Sequence, residues 1–99
     1  MATIGTFTKS GNEYKGSIVT LSVQAKNVRI VPEDNGGNDK APSHRLMTGD
    51  IAFGAGWQKT SREGRDYISV KLDDPSFAAP VYASLTETDN GDYALIWSR

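Results

Sequence analysis

The 99-residue sequence contains no cysteine, which excludes disulfides, thiolate metal sites and cysteine nucleophiles. It contains a single histidine, His44. That excludes a histidine-rich metal site and leaves a Ser-His-Asp triad one candidate base. No apolar run approaches the roughly 18 residues a membrane helix needs. The segment Met1 to Gly11 shows no basic region followed by an apolar stretch, so no secretory signal is read and the cytoplasm is the expected compartment. Eleven basic and twelve acidic side chains leave a net charge of −1, too little to pull the whole molecule onto nucleic acid or a membrane. The length suits one domain, spanning 1–99.

What is present is a period of two. Leu21, Val23 and Ala25 alternate with Ser22, Gln24 and Lys26. Ile68, Val70 and Leu72 alternate with Tyr67, Ser69 and Lys71, and Val81, Ala83 and Leu85 with Tyr82, Ser84 and Thr86. Each is the pattern of a strand with one buried face. No window carries helical spacing for three turns. Strands are expected at about Thr3–Thr8, Glu13–Leu21 and Ser22–Val31, with a bend near Gly16 or Thr20. They resume at His44–Thr48, Ile51–Phe53 and Ala55–Ser61, with Gly54-Ala55-Gly56 as an interruption, and then at Tyr67–Leu72. Asp73-Asp74-Pro75 should break the ladder, since proline lacks the donor. Pro80–Thr88 and Tyr93–Ser98 flank Asp89-Asn90-Gly91-Asp92, a tight-hairpin signal. Glu33 to Pro42 should be an exposed loop. The expected fold is all-β: a small antiparallel barrel-like or sandwich domain of about seven short strands.

Charge is uneven along the chain. Residues 1–39 are neutral, residues 40–71 carry +3, and residues 72–99 carry −4.

The segment Trp57 to Lys71 reads as a hairpin around a three-residue loop, Arg62-Glu63-Gly64, with Gly64 in the left-handed position. That register pairs Ser61 with Arg65, Lys59 with Tyr67 and Trp57 with Ser69. One face then shows Trp57, Lys59, Arg65, Tyr67 and Lys71, with Arg62 at the tip. Rings between cations suit single-stranded nucleic acid: bases stack on the rings at about 1–3 kcal/mol each while Lys and Arg neutralise phosphates. Lys40 and Arg45 extend that path. The plainer reading is that Trp57 caps the core and the charges keep an edge soluble.

Other signals carry less. Asp34 to Asp39 resembles a calcium loop but lacks the distant bidentate Glu and flanking helices. Asp73-Asp74 reads as a turn rather than an acid–base pair. No Gly-Lys-Ser/Thr makes a phosphate loop. Tyr93, Leu95 and Trp97 alternate with Ala94 and Ile96, so the last strand is apolar on both faces; it is expected to be central in the sheet, or to meet another subunit, leaving monomer and homodimer open.

Ile4-Gly5-Thr6-Phe7 followed by Gly11, Lys40-Ala41-Pro42, the long stretch Trp57 to Ala83 and the ending Leu95 to Arg99 resemble the bacterial family named domain of unknown function 736. The resemblance spans nearly the whole chain. It implies small proteins of alphaproteobacteria, often on plasmids and integrated mobile elements, and brings no activity, catalytic residue or cofactor with it. That setting implies handling DNA, or blocking a host defence. The expectation is a non-enzymatic binding protein taking single-stranded nucleic acid through the basic-aromatic hairpin. The alternative is a protein-interaction module, such as an inhibitor of a CRISPR-type nuclease, working through an acidic surface of Asp73, Asp74, Glu87, Asp89 and Asp92. No metal, cofactor or membrane is expected.

Overall fold

A computed structural model describes residues 2–21, 24–34, 36–38, 40–77 and 79–97. Among them the chain forms eight strands and no helix: β1 (Ala2–Ser10), β2 (Glu13–Val19), β3 (Gln24–Pro32), β4 (His44–Thr48), β5 (Ile51–Thr60), β6 (Asp66–Leu72), β7 (Val81–Glu87) and β8 (Tyr93–Trp97). Each pairs antiparallel with the next, and β8 returns to β1 to close a barrel. The all-β expectation holds, with one more strand than expected and with closure. Ser22, Val23 and Ser98, which the sequence assigns to strands, lie outside the described residues.

Closure decides what the interior can be. An eight-stranded barrel is just wide enough for its own side chains to fill or for one small ligand, and here side chains fill it. Phe7, Ile18, Val28, Ile30, Leu46, Val70, Leu72, Leu85 and Leu95 supply that filling and are almost wholly buried. Each contributes roughly 1.5–3 kcal/mol of transfer free energy, as an upper estimate. The last strand is central, between β7 and β1, with Leu95 at 0% exposure.

One expectation is corrected. Gly54-Ala55-Gly56 does not end a strand; β5 runs through it as one element, with a register shift against β4 between Ala52 and Gly54. The two glycines point inward where there is no room. A Cβ at Gly54 would lie 2.8 Å from the Lys71 carbonyl oxygen, and one at Gly56 would lie 2.7 Å from Ile68 Cγ2. Their bareness lets β5 pass close over its neighbours. The bend expected near Gly16 or Thr20 is present: β2 ends at Val19, and Gly16 lies at an irregularity within it. The register shifts between Gly16 and Ile18, and a Cβ added at Gly16 would fall on the Thr6 carbonyl oxygen. Bulges of this kind sharpen strand twist. Asp73-Asp74-Pro75 does break the ladder as expected: Asp74 accepts the Ser76 amide at 3.0 Å and the Ser76 hydroxyl at 2.5 Å, closing a turn.

Gly16→Ala is expected to destabilise the fold by about 2 kcal/mol or more, toward the upper end of overpacking costs, because the new methyl meets backbone rather than a movable side chain. Urea unfolding of the two proteins measures it, and equal midpoints would show that β2 bends away freely.

Candidate nucleic-acid interface and the barrel mouth

The central hairpin has the register read from its sequence. Lys59 pairs with Tyr67 and Trp57 with Ser69. The Ser61 amide donates to the Arg65 carbonyl at 2.8 Å, and Gly64 takes φ 81° in the turn. Ile68, Val70 and Leu72 are buried, so Tyr67, Ser69 and Lys71 face outward.

The pairings carry this outer face across four strands. Arg45 on β4 lies opposite Ala55, Ala55 opposite Lys71, and Lys71 opposite Tyr82 on β7. Adjacent strands lie about 4.8 Å apart, so Arg45 and Lys71 stand roughly 10 Å from each other across the small Ala55. Trp57 and Tyr67 occupy diagonal positions, about 7–8 Å apart at the backbone. The Trp57 indole N–H donates to the Lys40 carbonyl at 3.1 Å, which ties the β3–β4 loop to the hairpin. Ser43 reinforces the junction: its amide donates to the Gly56 carbonyl at 2.9 Å and its Oγ accepts the Gln58 amide at 2.9 Å. Lys40, Arg45, Trp57, Lys59, Tyr67 and Lys71 are therefore brought together, with Arg62 and Arg65 at the hairpin end. Arg45 is not a free cation, because its guanidinium is bonded to the Glu33 carboxylate. Tyr82, 61% exposed beside Lys71, belongs to this face and was missed from sequence; its outward parity in the Val81–Leu85 alternation was the available signal.

The acidic residues are not gathered in the same way. Asp73 and Asp74 follow β6, whereas Glu87 ends β7 and Asp89 and Asp92 lie in the β7–β8 turn. In an up-and-down barrel these are opposite ends.

The end bearing the β5–β6 and β7–β8 turns has a second character. Continuing the inward parity of Phe7, Leu46, Ile68, Leu85 and Leu95 to the rim puts Lys9, His44, Asp66, Glu87 and Tyr93 on the inner side, with buried Tyr14 beside them. The Tyr14 and Tyr93 rings meet edge to face at 4.9 Å, and His44 lies 6.2 Å from Tyr14. Burial pushes the Tyr14 phenol above its ordinary value, with Tyr93 and the Glu87 charge adding to the shift. Burial and then Glu87 do the same to Tyr93. Burial lowers His44 from its ordinary 6.5. The calcium-loop reading of Asp34 to Asp39 includes Asn35 and Asp39, which lie outside the described residues. Among the described residues no group of three or more His, Cys, Asp or Glu is placed to hold a metal. Nor is any described helix long and apolar enough to cross a membrane.

The class is thus a small, closed, up-and-down antiparallel barrel with a basic-aromatic outer face. The chain belongs to the family described as protein of unknown function DUF736, whose model matches residues 3–99. No curated protein and no solved structure matches it.

Because the native state holds His44 neutral, stability should be full above the ordinary histidine value and should decline as pH falls from about 6.5 toward 5. No other side chain has its ordinary pKa in that window. His44→Gln should flatten the decline in melting temperature between pH 7.5 and about 5. An NMR titration placing His44 above 6.5 would contradict the sign.

Proposed function

We propose that the protein is a non-enzymatic binder of single-stranded nucleic acid, held on the outer face of β4 to β7. The observation that carries this reading is the diagonal placement of Trp57 and Tyr67 between Lys59 and Lys71 on one outward surface. At about 7–8 Å on the diagonal, each of the two rings can take one base. Trp57 and Tyr67 stack bases; Lys59, Arg62, Arg65 and Lys71 contact phosphates; Lys40 and Arg45 lengthen the track. The indole arrives oriented by its bond to Lys40, which reduces the ordering that binding requires. A role in DNA handling fits the plasmid and mobile-element setting that the family resemblance implies.

A protein-interaction reading, including inhibition of a host defence complex, has less support. Asp73 and Asp74 lie at the far end of the barrel from Glu87, Asp89 and Asp92, so the five residues do not make one nucleic-acid-like surface.

The test is fluorescence anisotropy of labelled single- and double-stranded oligonucleotides at two salt concentrations. Binding should be stronger for single strands and weaken steeply with salt. Trp57→Ala should cost about 1–3 kcal/mol of binding, and a Lys59→Glu/Arg65→Glu double variant should weaken binding and reduce the salt slope, both without loss of folding. Absence of binding at low salt, or unchanged affinity in the folded variants, overturns the proposal.

A further inference from the structure

A cleft of about 970 Å³ opens at the barrel mouth between the β5–β6 and β7–β8 hairpins. That volume is of the size of small-molecule sites, and barrel mouths are a usual place for them. Among the described residues the β6–β7 register stops at Ile68↔Leu85, although both strands continue. The next inward pair would set Asp66 directly opposite Glu87, and like charges facing each other destabilise a ladder. The pairing ends before that position, and the cleft opens there.

The cleft's other wall is the Tyr14–Tyr93 pair. The nitrogen of Lys9 lies 5.9 Å from the Tyr14 ring centre, so an ammonium already rests against this aromatic surface. Its charge is not spent on the carboxylates: among the described residues Glu87 and Asp89 have no ion pair, and Asp66 accepts the Thr60 hydroxyl at 3.0 Å. Asp66, Glu87 and Asp89 outnumber Lys9 and Arg65 around the opening.

We propose that this mouth binds a small organic cation, an alkylammonium, with its charged head between Glu87 and Asp66 and its apolar stem on Tyr14 and Tyr93. The head offsets the repulsion between the two carboxylates, while the stem covers ring surface. Lys9 is the internal occupant that the ligand displaces. The site lies inside the rim; Arg65 and Tyr67 border it as well as the outer nucleic-acid face, but the residues that would hold the cation, Glu87, Asp66, Tyr14 and Tyr93, belong to the rim alone.

The probe is n-butylammonium chloride, titrated at constant ionic strength and followed through the Tyr14 and Tyr93 ring resonances by NMR, with sodium butyrate as the anion of matched length. Butylammonium should produce saturable shifts of both rings and butyrate should not. Glu87→Gln should weaken binding about fivefold to tenfold, and Lys9→Met, which removes the competing ammonium, should tighten it. Dispersed amide spectra verify that both variants are folded. No saturation by about 0.1 M, equal response to butyrate, or unchanged affinity in Glu87→Gln overturns the proposal. Trp57→Ala should leave this binding unchanged, which separates its failure from that of the nucleic-acid reading.

Discussion

Closure of the sheet is the constraint on which the rest of this structure depends. Pairing of β8 with β1 gives every strand two neighbours and leaves none as an edge. It also fixes the interior at a width that this chain's apolar side chains can fill. The register shift between Thr3 and Gly5 lies in that closing ladder, and Gly5 itself stands where a Cβ would come within 2.7 Å of the Ser17 carbonyl oxygen. Bare positions at Gly5, Gly16, Gly54 and Gly56 therefore serve one end. They let backbones cross closely enough for eight short strands to complete the circle.

A filled interior moves chemistry elsewhere. Mid-barrel inward positions are apolar: among the described residues no polar or charged residue is buried. Polar groups are confined to the outer surface and the two rims. On the outer surface an isolated exposed charge contributes little, about 0–1 kcal/mol per pair. Several cations in register are different, because each neutralised phosphate adds to the same salt-dependent attraction. The row Arg45–Ala55–Lys71–Tyr82 aligns two cations on one face, and Glu33 already offsets part of that charge at Arg45.

Much of the outer face was legible in the sequence because it is local. Gly64 sets the turn, the turn sets the register, and the register decides that Lys59 and Tyr67 share a face with Trp57. The closure was not legible, since pairing β1 with β8 joins residues more than eighty positions apart and no local signal distinguishes a closed sheet from an open one. The glycines of β5 were misread for a related reason. Glycine looks the same in sequence whether it ends a strand or permits a close crossing, and only the neighbours Lys71 and Ile68 show which. The rim cluster was illegible because Lys9, Tyr14, Asp66, Glu87 and Tyr93 come from five different strands. Each carried a weak clue, a polar residue holding the parity of an apolar inward row, but parity has meaning only once the common interior is known.

Inward parity at the rim also bears on how a concavity arises in such a small fold. Extending the β6–β7 ladder by one inward pair would place a carboxylate against a carboxylate, so the two residues at that position disfavour closing the rim. Substituting apolar residues at both positions would continue the core to the edge, lengthen the ladder and abolish the cleft. The opening is thus encoded as an unfavourable pair. It is tolerable because it lies at the end of two strands, where only the tips need diverge, and because the buried rows below, from Ile68 and Leu85 inward, keep the barrel shut. A defect confined to the rim is the least expensive way for a closed barrel to acquire a concavity.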